Sequence, residues 1–334
     1  MKAPHTHPQR GFVLVLTMGV LVVLALAAGY FAERVSSAME LAQLSRQNTT
    51  ALIDMSNTRA ELLYRLATTS LTVQGLGSGA ARIALDDRPY RGLGNTRWQM
   101  QDNRGLINLN AVEDDRLLRL LGLLGIPAEQ RAHLVDTLRD YIDADDLHRL
   151  NGAEKDDYLA RNLPPPPNHN LATPWQAQGI IGWRDAPQLW QNARLVNLTS
   201  TSVANGLNPN TAPTEVLETL PGISADIAQR IIAHRQALPI VNLLQLAEVT
   251  GMPTQHFEEI IAVLPSNSLR ITQSAPGLPW ALQYSVTLTP KSGKAPWQID
   301  YSSRISHTEP PATVAGALPG LPPRSMAPPE VSPL

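Results

Sequence analysis

The N-terminal part of the chain is dominated by one long apolar stretch. Residues 12–32 contain no charged side chain, with Arg10 just before the stretch and Glu33 just after it. A helix of this length rises about 30 Å at roughly 1.5 Å per residue, which matches the hydrocarbon core of a bilayer. Lys2 and Arg10 precede it without any acid, so the positive-inside rule places the short N-terminus in the cytoplasm. The pattern predicts one membrane-spanning helix, with the rest of the chain on the far side.

A second helical pattern follows directly. From Glu33 to about Gln74 the chain lacks Gly and Pro, and Gly75 then begins a glycine-rich segment that ends the pattern. A helix with an apolar stripe along one face needs another layer, such as a sheet, to cover that stripe. The apolar residues that recur on one face at helical spacing are Leu52, Met55, Leu62, Leu63 and Leu66.

Strand-like alternation of apolar and polar residues occurs in two places that are far apart in the chain. The first place comprises Ala81–Leu85 and Arg97–Asn110, and the second comprises Leu282–Leu288 and Trp297–Ile305. Residues 111–264 between them have a helical pattern. The predicted fold class is therefore α+β: an N-terminal helix and a small antiparallel sheet, interrupted by a large all-α insertion.

Composition and charge narrow the function. The 334 residues suffice for one large domain or two ordinary ones, and the absence of cysteine excludes disulfides, zinc ribbons and thiol nucleophiles. A formal net charge of −2 gives the chain no overall attraction to nucleic acid. Prolines recur throughout residues 309–334, which predicts a disordered or loosely extended tail. The tail is interpreted as dispensable, with a partner-binding arm as the alternative.

The junction at the start of the apolar stretch carries a family resemblance. Gly11 ends the basic leader and Phe12 follows at once, in the sequence Arg-Gly-Phe-Val-Leu-Val-Leu. This stretch resembles the prepilin signal of type IV pilins and type II secretion pseudopilins. The resemblance implies that a prepilin peptidase cleaves between Gly11 and Phe12 and methylates the new N-terminus at Phe12.

Two ordinary interpretations of the same segment stay open. A cleaved secretory signal would have an apolar region of about 7–15 residues and a small-residue cleavage site, which Ala25, Ala27 and Ala28 imitate. A plain signal anchor could equally hold an unrelated domain at the membrane.

Leu16 departs from the usual pilin pattern, which has a glutamate at this fifth mature position. A carboxylate inside the bilayer costs about 2.5 kcal/mol or more unless it is paired. In a filament it can pair with the N-terminal amine of the subunit above, so a subunit at the tip needs none. Leu16 therefore marks a tip subunit, as in the general secretion pathway protein K family of minor pseudopilins, which this chain resembles.

That resemblance implies a non-catalytic structural subunit of the type II secretion system. Its partners would be minor pseudopilins I and J, which would meet it through the helix after Glu33. The protein would sit in the inner membrane, with its C-terminal domain in the periplasm. The predicted segments are a leader peptide (1–11), a transmembrane helix (12–32), the pseudopilin helix and first strands (33–110), the inserted α-helical domain (111–264), the remaining strands (265–308) and the Pro-rich tail (309–334).

Three segments of the insertion share a pattern of helix, glycine, apolar residue and second helix. Glycine permits the positive φ that ends the first helix, and the apolar residue fills the gap between the two helices. Ser224 or Thr254 can then cap the helix that follows. The middle segment, residues 220–235, resembles the helix-hairpin-helix motif, which grips a DNA phosphate through its backbone amides. The three segments are centred on Gly125, Gly222 and Gly251.

The middle motif raises an alternative function, a membrane-anchored helix-hairpin-helix DNA receptor of the competence type. Residues 208–264 carry six acids and two bases, Arg230 and Arg235, which gives a net charge of −4 and includes no lysine. DNA binding needs several Lys or Arg to displace counterions. We therefore expect no nucleic-acid binding and interpret the hairpins as a packing device.

The densest charge run lies within the insertion. Residues 140–157 hold seven acids and two bases, a net charge of −5. Calcium takes six to eight oxygen ligands, whereas the plain alternative is a solvated acidic loop, and the spacing is not that of an EF-hand. The protein K family has a similar Ile-Asp-Ala-Asp-Asp run and Gly-Ala-Glu turn, and the resemblance implies a structural calcium ion here. Spacing does not choose among the candidate ligands, which are Asp143, Asp145, Asp146, Glu154 and Asp157.

No catalytic motif emerges from the sequence. None of the eight histidines lies in a Gly-x-Ser-x-Gly elbow or a His-Glu-x-x-His helix, and no Gly-rich phosphate loop follows a strand. The sequence therefore predicts a structural subunit rather than an enzyme.

Overall fold

The computed structural model describes residues 12–202, 204–306 and 318–322. The chain divides into two compact units, residues 1–53 and 54–334. The leader, including Gly11, lies outside the described residues, as does most of the Pro-rich tail.

The described part of the chain contains helices and strands joined by short 3₁₀ turns. The helices are α1 (Phe12–Thr68), α2 (Asp114–Leu123), α3 (Ala128–Ile142), α4 (Lys155–Ala160), α5 (Pro187–Trp190), α6 (Arg194–Leu198), α7 (Thr214–Glu218), α8 (Ala225–Ala237) and α9 (Leu243–Thr250). The strands are β1 (Leu71–Thr72), β2 (Gly75–Leu76), β3 (Tyr90–Arg91), β4 (Arg97–Asp102), β5 (Ile107–Asn108), β6 (Thr199–Ser200), β7 (Ser268–Ser274), β8 (Trp280–Leu288) and β9 (Trp297–Ser306).

In the first unit, the described residues form the N-terminal part of α1. Side chains 12–34 are exposed, and the helix contains an 18-residue window that is long and apolar enough to cross a membrane. Leu52 is 45% exposed, so its predicted place in the buried stripe is wrong. This part of α1 forms no apolar core of its own, as expected of a membrane helix and its extension.

In the second unit, the last turns of α1 pack on the sheet. Leu62, Leu63 and Leu66 are buried in one cluster with Trp98 and other sheet residues, as the helical spacing predicts. The helix ends at Thr68, several residues before the predicted end near Gln74. The chain turns there because the short hairpin β1–β2 begins, with Leu71 opposite Leu76.

The sheet is antiparallel throughout, with strand order β3-β4-β7-β8-β9. The small antiparallel sheet is therefore as predicted, but its strands differ in detail. The predicted strand Arg97–Asn110 ends at Asp102, where the Asp102 side chain accepts a hydrogen bond from the Arg104 amide and starts a 3₁₀ turn. Ala81–Leu85 forms only an isolated bridge, from Ile83 to Leu76. The central strand β7 was not predicted.

The helical insertion has a core separate from that of the sheet. This core also includes Ile107 and Leu109, because β5 pairs in parallel with β6 inside the insertion. The predicted boundary after Asn110 is thus a few residues late.

The hairpin glycines adopt the expected backbone. Gly125, Gly222 and Gly251 have φ of 86°, 76° and 76°. Ser224 caps α8 by accepting from the Ile227 amide at 3.3 Å. Thr254 caps no α-helix, because only a 3₁₀ turn, Thr254–His256, follows Gly251.

Asp102 ties the insertion to the sheet at the point where the chain leaves β4. Its buried carboxylate accepts hydrogen bonds from the amides of Arg104 (3.0 Å) and Ser266 (2.9 Å) and from the side chain of Asn208 (3.0 Å). The hydroxyls of Ser266 and Thr211 lie 2.8 and 3.1 Å away. The Asp102 carboxylate therefore holds together three segments: the chain that leaves the sheet after β4, the chain that returns to it before β7, and the turn of the insertion that contains Asn208.

Residues 318–322 belong to the tail, which the sequence predicts to be disordered or loosely extended. Within the second unit they lie beside β3, where the Pro319 carbonyl accepts a hydrogen bond from the Arg91 amide at 2.9 Å. The prediction is wrong for these five residues, because the segment finds specific backbone partners there.

Candidate metal centre

Three carboxylates converge where α3 ends and α4 begins. Asp140 lies in the last turn of α3, Asp143 is its C-terminal cap residue, and Glu154 is the N-terminal cap residue of α4. One oxygen from each lies within 4.8 Å of the others. The loop between the two helices returns the chain so that Glu154 faces the end of α3.

Two of these carboxylates are buried and Asp143 is half-buried, and the cluster lacks hydrogen-bond donors. Asp140 is fully buried and Glu154 is 3% exposed. Among the described residues, Asp140 Oδ1, Asp143 Oδ1 and both carboxylate oxygens of Glu154 make no hydrogen bond of good geometry. Arg149 Nε lies 3.8 Å from Asp140 Oδ1, too far for a hydrogen bond. A buried carboxylate in this state carries a large desolvation cost unless a cation offsets it.

The raised pKa values of the three carboxylates also indicate that the cluster lacks a compensating positive charge. Burial, together with the negative charges of Asp140 and Asp143, raises the pKa of Glu154 to about 7. Burial also raises the pKa of Asp140, and burial with repulsion from Asp145 raises the pKa of Asp143. Each carboxylate thus disfavours ionisation of the next, and a bound cation would reverse that effect.

Gly152 makes room for the buried Asp140 carboxylate. A Cβ placed on this glycine would come within 1.8 Å of Asp140 Oδ2. The Arg149 amide donates to the same oxygen at 3.2 Å. The loop therefore folds closely around Asp140, and a glycine is needed at this position for steric reasons.

The five sequence candidates separate into two groups. Asp143 and Glu154 belong to the cluster of three. Asp145 accepts from the Leu147 amide at 2.9 Å, and Asp146 accepts from the Asn168 side chain at 3.0 Å. Asp157 pairs with His148 at 2.8 Å and accepts from the Glu154 amide at 3.0 Å. The last three carboxylates are thus engaged elsewhere in the loop.

Asp140 was not among the sequence candidates. The available signal was its position three residues before Asp143, which places both side chains on one face of a helix. The donor set of three carboxylates fits a hard cation such as calcium, with the remaining ligands supplied by carbonyls or water. Its burial argues against a merely solvated acidic loop.

The helix-hairpin-helix region presents no free guanidinium group for DNA. Arg235 donates to the carbonyls of Pro209 (2.8 Å) and Ala212 (2.6 Å), and burial lowers its pKa to about 10. Arg230 lies 3.6 Å from Asp226 and donates to the Thr250 carbonyl at 3.3 Å. Arg235 therefore serves the packing of the hairpins, and the half-exposed Arg230 is paired within the same region.

The chain is similar to known proteins in a sequence motif, in sequence and in fold. A helix-hairpin-helix motif family model matches residues 202–264, as the middle hairpin predicts. A type II secretion system protein K of Escherichia coli K12 is 31% identical over 49% of this chain, and the match covers 54% of the relative. The chain thus spans about half the length of that relative. One chain of the crystal structure of the GspK-GspI-GspJ complex from enterotoxigenic Escherichia coli matches with a TM-score of 0.52 at 17% identity, covering 82% of this chain and all of that one.

The described residues thus form a long N-terminal helix that is apolar enough to cross a membrane, a small antiparallel sheet and a helical insertion that carries a helix-hairpin-helix motif. The chain is thus similar in sequence to part of a type II secretion system protein K and in fold to one chain of the GspK-GspI-GspJ complex.

Proposed function

We propose that the chain is a minor pseudopilin, a non-catalytic structural subunit at the tip of the pseudopilus in type II secretion. In this role it starts assembly of the pseudopilus and helps to export folded proteins across the outer membrane. The observation that carries the proposal is the pilin-like layout with its helical insertion, in a chain similar to protein K. The DNA receptor is not favoured, because Arg230 and Arg235 are committed to internal contacts.

Leu16 supports the place at the tip. It lies in the exposed apolar part of α1, where a buried glutamate would need the amine of a subunit above it. A chain with leucine at this position can end a filament without leaving an unpaired charge in the bilayer.

Processing provides the first test. The full chain is co-expressed with a prepilin peptidase and its mature N-terminus is analysed by mass spectrometry. We expect cleavage between Gly11 and Phe12 and methylation of Phe12, whereas a Gly11→Val chain should stay uncut. An intact Met1 in the wild type, or a terminus beyond Ala25, would contradict the proposal. Protease accessibility in spheroplasts then tests the inner-membrane location with the C-terminal domain in the periplasm.

Partner binding provides the second test. The GspK-GspI-GspJ complex supports minor pseudopilins I and J as partners, and we propose that they meet this chain along the helix after Glu33. Leu41 and Leu44 are 68% and 54% exposed on that helix. The full chain in detergent should co-purify with I and J, and the double variant Leu41→Asp, Leu44→Asp should lose them. Failure of the wild type to retain either partner would exclude this role.

We further propose that the cluster of Asp140, Asp143 and Glu154 binds a structural calcium ion. What supports it is the burial of carboxylate oxygens that make no hydrogen bond of good geometry among the described residues. The ion would neutralise the three carboxylates and fix the end of α3 against α4.

Chelation tests the calcium proposal. EGTA should lower the Tm of the full chain, because a ligand present at about 100 times its Kd stabilises the folded state by about 2.7 kcal/mol. Glu154→Gln should abolish this shift. Asp145→Asn is the matched control and should keep it, since Asp145 lies outside the cluster. An unchanged Tm on chelation of the wild type would refute the site.

A further inference from the structure

The C-terminal segment 318–322 lies along the edge strand of the sheet. β3 pairs with β4 on one side only, through Tyr90 opposite Trp98 and Arg91 opposite Arg97. On its other side, Arg91 forms a parallel bridge with Gly320, and its amide donates to Pro319 O at 2.9 Å. The segment therefore takes the position of a sixth strand beside β3.

The same segment also contacts helix α1. Arg65 Nη2 donates to the Pro322 carbonyl at 2.7 Å, and Arg65 is only 9% exposed. Leu321 packs against the apolar cluster that α1 shares with the sheet. Two carbonyls and one apolar side chain thus occupy a groove whose walls are α1 and the edge of β3.

The connection to this groove is long enough. β9 ends at Ser306 on the opposite edge of the sheet, four strand spacings of about 4.8 Å from β3, or roughly 19 Å. The eleven residues 307–317 can extend to about 36 Å at roughly 3.3 Å per residue. The chain can therefore reach β3 without any change in the sheet.

The composition of the segment disfavours pairing of a further strand at this edge of the sheet. Its sequence is Leu-Pro-Gly-Leu-Pro, and neither Pro319 nor Pro322 has an N–H to offer to another strand. Proline on an outer edge discourages pairing with other chains. The segment therefore accepts from the protein on its inner side and offers few donors on its outer side.

We propose that the groove between α1 and β3 is a peptide-binding site, and that its ligand is this chain's own segment 318–322, the strap. The strap closes the β3 edge and joins it to the helix that leads to the membrane. Its recognition rests on the Arg91 amide, the Arg65 guanidinium and the apolar contact of Leu321. The proposal is independent of the pseudopilin role, since it concerns contacts within one chain.

Two shortened chains test the strap. A chain that ends after Ala317 lacks the strap, whereas a chain that ends after Pro322 keeps the strap and lacks only the last twelve residues. We expect the first to lower the Tm by about 4 °C or more and the second to leave it unchanged. Equal melting of both shortened chains and the wild type would overturn the proposal.

Binding in trans makes the test independent of stability. A fluorescent peptide of residues 317–322 should bind the chain that ends after Ala317 and raise its Tm. The same peptide with Leu321→Asp should not bind, and neither peptide should bind the wild type, whose groove is filled.

If the chain that ends after Ala317 does not fold, the full chain with Leu321→Asp takes its place. Its Arg91 amide should then exchange with solvent at least tenfold faster than in the wild type. Equal peptide binding to wild type and shortened chain, or unchanged exchange at Arg91, would refute the strap.

Discussion

At the residue scale, Asp102 shows how one side chain can hold distant segments together. Burial raises the pKa of Asp102, while the amides of Arg104 and Ser266 and the Asn208 side chain stabilise its ionised form. These donors come from the chain leaving β4, the chain returning to β7 and the turn before α7. Each of these donors favours the ionised carboxylate, whereas burial opposes it.

We predict that Asp102→Ala lowers the free energy of unfolding by at least about 3 kcal/mol. It would leave three buried donors without an acceptor, each at a cost of about 1–3 kcal/mol. Urea unfolding of the full chain in detergent, followed by tryptophan fluorescence, measures the change. Asp115→Ala, at an exposed position of α2, is the control and should stay within about 0.5 kcal/mol of the wild type. Similar losses in both variants would contradict the role given to Asp102.

A second residue-scale prediction concerns Gly152. Gly152→Ala would force a methyl group against Asp140 Oδ2, and relieving such overpacking costs about 1–3 kcal/mol. The melting temperature should fall, and calcium titration should show weaker binding than in the wild type. Gly293→Ala is the matched control, because a Cβ there meets no atom within 4 Å. Unchanged melting of Gly152→Ala would show that the loop is looser than the structure indicates.

At the element scale, the two parts of helix α1 differ in what their apolar residues do. Leu62 is fully buried against the sheet, whereas Leu52 is 45% exposed. We predict that Leu62→Ala destabilises the sheet-containing unit by about 2–5 kcal/mol, because it leaves a cavity in a packed core. Leu52→Ala should cost less than about 0.5 kcal/mol in the same thermal unfolding experiment. A comparable loss in both variants would mean that the helical stripe continues through Leu52.

The helical spacing of apolar residues predicts the helices more reliably than the alternation of apolar and polar residues predicts the strands. The hairpin glycines and the stripe from Leu62 to Leu66 were predicted because a helix leaves a regular apolar spacing. β7 was missed because Arg270 and Gln273 make it look polar, yet both are buried. Arg270 can lie there because it donates to the Val196 carbonyl of the insertion at 2.7 Å, a partner 74 residues away.

The sequence predicts which loop holds the candidate site, but it does not predict which carboxylates of that loop form the site. The acidic run marked the loop, but burial and chain return select Asp140 and Glu154 over the exposed Asp145. These are tertiary properties that spacing does not contain. The ordered position of segment 318–322 is likewise not predictable from the sequence. Its proline content does not show that the Arg65 side chain donates a hydrogen bond to the Pro322 carbonyl.

At the scale of the whole molecule, sheet and insertion have separate apolar cores within one continuous chain. The chain leaves the sheet at the end of β4 and returns at the start of β7, and these strands are antiparallel neighbours with Asp102 opposite Leu269. An insertion whose two ends are adjacent can be accommodated without breaking the host domain. The part of the chain that forms the sheet should therefore be able to fold without the insertion.

We predict that the sheet core survives removal of the insertion. Residues 103–268 are replaced by Asn-Gly, a two-residue turn whose twist suits an antiparallel hairpin from Asp102 to Leu269. Arg270 loses its carbonyl partners in the insertion but keeps Asp87 at 3.4 Å. Asp102 loses its donors as well, but it then lies directly beside the new turn. Trp98, which stacks on Tyr90 at 4.6 Å, should keep its near-UV circular dichroism and a cooperative melting transition. Met100→Asp in the same shortened chain is the control and should abolish both signals, because Met100 is fully buried in the sheet core. A shortened chain without fixed tryptophan packing would mean that the sheet depends on the insertion to fold.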